Sequence, residues 1–129
     1  MYEWLSHTAE IELNVVADTV EGVFADAADA FGRYVELASD GDPVRHEVEL
    51  EAPDRGALLV ALLEELIFLG DTERFVPDRV TLRVEQHRLV GTLEGRRTRI
   101  DPIMKAATYH GLKFEQIDRV WNARVVFDV

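Results

Sequence analysis

Three short stretches of the sequence bring together side chains that can hold a cation or move a proton. In His7-Thr8-Ala9-Glu10 an imidazole precedes a carboxylate by three residues, which suits a metal pair or an acid/base pair. Phe127-Asp128-Val129 ends the sequence, so the Asp128 side chain and the Val129 α-carboxylate set two anionic groups close together. A hard cation would relieve that repulsion. Lys105-Ala106-Ala107-Thr108-Tyr109-His110 offers a cation, a phenol and an imidazole. Each stretch also has a plainer reading, and pattern alone gives that reading more weight. Charged residues are mostly solvated, so Glu10 and Asp128 read as solvent-facing strand residues, His7 as a turn histidine, and Lys105 as a lysine whose stem lies along a sheet. Strand alternation further predicts Lys105, Ala107 and Tyr109 on one face and His110 on the other, which is no triad. His46 and His87 sit in ordinary strand or turn contexts and carry no assigned role.

Several classes of chemistry lose support from what the sequence lacks. There is no cysteine, hence no thiolate site and no disulfide framework. Ser6 and Ser39 are the only serines, and no Gly-x-Ser-x-Gly elbow, phosphate-binding Gly-rich loop or His-Glu-x-x-His helix occurs. Net charge is −11, from 25 acidic against 14 basic residues, and a field of that sign repels phosphate backbones. Strong direct nucleic-acid binding is therefore not expected. All basic residues except Lys105 and Lys113 are arginines, a bias that fits either salt adaptation or a GC-rich genome. The opening Met1-Tyr2-Glu3-Trp4-Leu5 has neither the basic nor the apolar part of a signal peptide, and no apolar run approaches the roughly 18 residues of a membrane span. The expectation is a soluble, cytoplasmic protein.

The elements that must carry these residues follow from periodicity. Glu10 to Val15 alternates polar and apolar, the mark of a strand buried on one face. Asp18 or Thr19 caps a helix with Val20, Phe24, Ala27, Phe31 and Val35 on one stripe. Ser39 to Pro43 is a polar turn, and His46 to Glu51 a second strand. Asp54 caps a second helix, apolar on more than one face, that runs to about Leu69 and is stopped by Gly70. Val80–Val84 and Leu89–Leu93 suggest a hairpin, with Gly91 and Gly95 belonging to its geometry. Lys105–Phe114 and Val120–Val129 read as two last strands joined by Glu115 to Arg119. The length of 129 residues and the absence of repeats or linkers predict one domain over 1–129. Its expected class is α+β, two helices packed on one mixed, largely antiparallel sheet in two layers.

Four ordered motifs together resemble the archease family: His7-Thr8-Ala9-Glu10-Ile11, then Leu62 to Leu69 followed by Asp71, then Lys105 to His110, and last Val126-Phe127-Asp128-Val129. The resemblance implies a non-enzymatic partner of the GTP-dependent RNA ligase of tRNA splicing, which promotes the ligase's guanylylation and multiple turnover. It also implies a metal site, usually described with calcium, on Glu10, Asp128 and Val129. The family motif generally has Asp where this chain has Glu10, so the carboxylate sits on one extra methylene. Lys105 is a further functional candidate through its motif position, with His7 and His110 behind it. Two rival readings remain at this stage. One is a metal-dependent phosphoester hydrolase with His7 as base; the other is a chaperone or adaptor without a metal role.

Overall fold

A computed structural model describes all of residues 1–129. Its elements in chain order are β1 (Tyr2–His7), β2 (Glu10–Ala17), α1 (Val20–Val35), β3 (Asp42–Glu51), α2 (Arg55–Glu73), β4 (Phe75–Glu85), β5 (Arg88–Arg97), β6 (Ala106–Ile117) and β7 (Val120–Asp128). Both helices begin where a side chain satisfies a free backbone donor. Thr19 Oγ1 accepts from the Gly22 N–H at 2.9 Å, and Asp54 Oδ1 accepts from the Ala57 N–H at 2.8 Å. The α1 stripe of Val20, Phe24, Ala27, Phe31 and Val35 is buried as its spacing predicts. In α2 the buried residues include Leu58, Leu59, Leu62, Leu63, Leu66 and Ile67, and they run around most of the helix.

The strands make two antiparallel sheets, not the one mixed sheet expected. One is four-stranded in the order β1-β2-β7-β6, the other three-stranded in the order β3-β5-β4. The reason lies in α2. A helix buried on most of its faces cannot be satisfied by one sheet, and α2 packs against β6 of the four-stranded sheet and β4 and β3 of the three-stranded one, while α1 touches β2, β7 and β4. One cluster of 29 buried residues draws on both helices and both sheets. A nearly buried Arg96 ties the layers at the edge of this core. It pairs with Glu36 just past α1, with Asp78 on β4 at 3.0 Å and with the Ser39 carbonyl at 3.2 Å.

Other boundaries also moved. β1 was not anticipated; it pairs with β2 and sets Trp4 against Tyr34 and Phe127, with ring centroids 4.5 and 5.8 Å away. β3 begins at Asp42 and contains Pro43, which an edge strand tolerates because one row of its backbone donors has no partner. α2 continues past Gly70 to Glu73 and ends on Arg74 in the left-handed conformation, φ 57°. Gly70 is not a stop but a close-packing residue, since a Cβ there would lie 3.3 Å from the Ile100 side chain. The three hairpins close on two-residue turns, Thr8-Ala9, Gln86-His87 and Asp118-Arg119. Asp118 and Arg119 both have positive φ, 52° and 71°, matching the twist that such tight turns require.

Gly91 and Gly95 lie within β5, where β4 approaches closely. A Cβ on Gly95 would sit 2.0 Å from the Val76 carbonyl oxygen, a contact that only a shift of β4 can relieve. Gly95→Ala is expected to destabilise the fold by about 1–3 kcal/mol, the usual cost of overpacking, seen as a lower urea midpoint.

Candidate functional site

The two ends of the sequence meet because β2 pairs with β7. In that pairing Glu10 stands directly opposite Asp128, and Ile11 opposite Phe127. The β1–β2 hairpin sets His7 opposite Glu10, and β6 sets Ala106 opposite Asp128, so one row crosses all four strands. Opposed residues of antiparallel strands share a face with Cβ atoms about 4.5–5.5 Å apart. Ile11 and Phe127 are buried, which turns their neighbours Glu10 and Asp128 to the outer face. Two backbone bonds fasten this tip. The Lys105 N–H donates to the Asp128 carbonyl at 2.9 Å, and the Val129 N–H donates to the Ala9 carbonyl at 3.3 Å.

Glu10 and Asp128 have no ion-pair partner, although Glu12, two residues along the same face, is heavily engaged. Asn14 Nδ2 donates to Glu12 Oε2 at 2.7 Å, His7 Nε2 lies 3.3 Å from Glu12 Oε1, and Arg124 Nε lies 3.4 Å from the same oxygen. Glu12 is 7% exposed. The Asn14 hydrogen bond holds its carboxyl below the ordinary 4.5; burial opposes this, and the Arg124 charge and the His7 contact reinforce it. Arg124 contributes through charge alone, since its Nε makes no hydrogen bond. Only the alternation of Glu10, Glu12 and Asn14 hinted at a common face, and nothing in the pattern marked Glu12 as buried.

The remaining candidates separate. His7 is turned to Glu12. Lys105 is exposed just before β6, with its backbone at Asp128. The expected alternation through Lys105, Ala107 and Tyr109 fails, because the β6–β7 register shifts between Thr108 and Lys113 and Gly111 takes φ 64°. Ala107 is consequently buried while Tyr109 is 65% exposed. His110 sits in this irregular stretch, away from the Glu10–Asp128 row, and its N–H donates to Thr108 Oγ1 at 3.3 Å. A residue that pattern reading passed over is Glu64 of α2, whose Oε1 accepts the Ala107 N–H at 2.9 Å.

Chemically the tip offers hard oxygen donors: two side-chain carboxylates and nearby backbone carbonyls. That set suits calcium or magnesium and not a soft metal. No three His, Asp or Glu side chains converge into a metal-ligand group, so a cation here would need main-chain oxygens or water as well. None of the larger clefts is lined by Glu10 or Asp128. The largest, about 460 Å³, lies at Glu51–Pro53 and Glu85–Arg88. No helix is long and apolar enough to cross a membrane.

Comparison with known proteins places relatives along the whole chain. The model of the archease protein family matches residues 2–129. The archease of Pyrococcus furiosus is 32% identical over 99% of this chain and 98% of its own length. The archease of Methanosarcina mazei is 30% identical over 99% and 95%. Among solved structures, Methanobacterium thermoautotrophicum protein 1598 superposes with a TM-score of 0.81 at 28% identity, covering 99% of this chain and 98% of that one. An archease of Thermotoga maritima, at 24% identity and a TM-score of 0.70, shares the fold.

The lowered Glu12 pKa makes stability depend on pH with a definite sign. Below pH 4.5 the unfolded chain binds a proton that the folded one resists, so this stabilisation is complete above 4.5 and is lost as pH falls through the lower folded value. Asn14→Ala should move that loss to higher pH, and Glu12→Gln should remove its share of the acid limb. Urea unfolding at a series of pH values from about 3 to 7 reads both effects.

Proposed function

This chain belongs to the archease family, and from that membership we propose that it is a non-enzymatic activator of the tRNA-splicing RNA ligase. In this reading it promotes guanylylation and repeated turnover of the ligase. The observation that carries the reading is the direct register of Glu10 with Asp128, with Val129 tied beside Ala9. These three residues would hold a divalent cation, calcium by the family pattern, at a tip that can be presented to a partner. When bound, the cation supplies a centre of positive charge on an otherwise anionic surface.

The protein's own residues have distinct tasks here. Glu10 and Asp128 supply carboxylate oxygens from neighbouring strands, so sheet geometry sets their separation. The extra methylene of Glu10 relative to Asp lengthens its reach, and calcium's variable coordination accommodates this. Lys105, exposed beside Asp128, would meet nucleotide phosphates or acidic groups of the ligase. The hydrolase reading is weakened by His7, its intended base, being engaged by Glu12. It also lacks a cleft, since none of the larger ones reaches Glu10 or Asp128.

Mixing the protein with its cognate ligase, GTP and a divalent metal should accelerate covalent guanylylation. No acceleration with a competent ligase would end this reading. Glu10→Ala combined with Asp128→Ala should abolish the acceleration; if it survives, the adaptor reading without a metal role stands. Lys105→Ala should lower activation while leaving calcium binding in place, as titration calorimetry can show. A residue appended after Val129 should weaken calcium binding with every side chain intact.

A further inference from the structure

The motif from Leu62 to Leu69 has no part in the reading above, yet one of its residues reaches the tip through the backbone. β6 is the outer strand of the four-stranded sheet, with β7 on one side and no strand on the other. An outer strand has a row of donors and acceptors without ladder partners, and those that are buried must be satisfied some other way. Ala107 is only 7% exposed, and its N–H donates to Glu64 Oε1 from α2 at 2.9 Å. Leu62, Leu63, Leu66 and Ile67 are buried around Glu64, which anchors its stretch of helix. Glu64 takes part in no ion pair. A half-buried carboxylate kept at a helix–sheet contact without a cation partner is a costly choice for packing alone, whereas a charge-assisted hydrogen bond is strong and directional.

What this bond holds in place is the start of β6. Ala106 is the register partner of Asp128, and the Lys105 N–H donates to the Asp128 carbonyl at 2.9 Å. Glu64 therefore grips the residue immediately following the pair that seats Asp128 and directs Lys105.

We propose that Glu64 is a positioning residue for the tip: by accepting the buried Ala107 N–H it holds the Lys105–Ala107 segment, and so Asp128, in the arrangement that binds the cation. Glu64 itself touches neither the cation nor the ligase. This rests on the activator reading, and its test has a readout that needs neither metal nor ligase.

The test compares Glu64→Ala, Glu64→Asp and Glu64→Gln in the full chain. Amide hydrogen exchange of Lys105, Ala107 and Val129 is followed by NMR without metal, and calcium affinity by titration calorimetry. Loss of groups that orient metal ligands typically weakens binding by about 10–100-fold, and Glu64→Ala should fall in that range with faster exchange at Ala107 and Lys105. Glu64→Gln keeps an acceptor oxygen at the same reach but loses the charge assistance, and should fall between wild type and Glu64→Ala. Glu64→Asp keeps the charge but is too short and should resemble Glu64→Ala, so the order of Gln over Asp decides the matter even if the alanine variant does not fold. Unchanged Lys105 exchange in Glu64→Asp, or a glutamine variant as impaired as the aspartate one, overturns the proposal. Should the wild-type protein bind no calcium, the cation reading fails by itself, and the exchange order of the variants still decides whether Glu64 positions this segment.

Discussion

The antiparallel pairing of β2 with β7 is the constraint on which the rest depends. Each strand belongs to a tight hairpin, β1–β2 through Thr8-Ala9 and β6–β7 through Asp118-Arg119, and this pairing joins the hairpins into one sheet. Its register is enforced by burial. Ile11, Leu13 and Val15 on β2 meet Phe127, Val125 and Ala123 on β7, all of them in the core. A slip by one residue would set the apolar row of one strand on the outer face of the other, exposing its core side chains and burying its carboxylate without a partner. The apolar face therefore determines where the carboxylates of the outer face stand.

The outer face treats its acids in two ways. Glu12 is sheltered and satisfied by Asn14, His7 and Arg124, and it behaves as a structural carboxylate whose charge the fold favours. Glu10 and Asp128, one step nearer the tip, form no ion pair with any basic side chain. Two carboxylates left unpaired in adjacent strands cost the fold some repulsion, and a site that gains from an external cation is the natural place for such a cost. Held by backbone bonds at Ala9 and Lys105, they stand at the end of the two inner strands of the sheet and not on a loop.

The second sheet and the helices serve this arrangement indirectly. Because α2 is apolar around most of its surface, it needs walls on both sides, and β4 with β3 complete what β6 begins. Besides this packing, α2 reaches β6 through Glu64, which accepts the Ala107 N–H. Arg96 ties the end of α1 to β4 by pairing with Glu36 and Asp78. The strong acidity of the chain is carried on the surface of this frame; Glu12, Arg96 and Thr98 are the only buried polar residues, and none belongs to the apolar core cluster.

Much of this was legible in the residues themselves. The period of Glu10 to Val15, the stripe of α1, the Thr19 and Asp54 caps and the four ordered motifs are local features, and local physics decides them: side-chain alternation, helical spacing and satisfaction of the first free N–H groups. Family and candidate carboxylates followed from the same short segments. Three things did not follow, because each depends on how the elements pair and pack. Two sheets replaced one because α2 needed burial on both sides. The alternation at Lys105 to Tyr109 broke because β6 shifts register against β7. His7 was drawn to Glu12 by the folding-back of the β1–β2 hairpin, and Glu64 to Ala107 by a contact that exists only once helix and sheet have met. The sequence by itself determined which residues could bind a cation. The tertiary structure decided that Glu10 and Asp128 stand side by side, since the pairing of strands more than one hundred residues apart is set by the burial of their opposite faces.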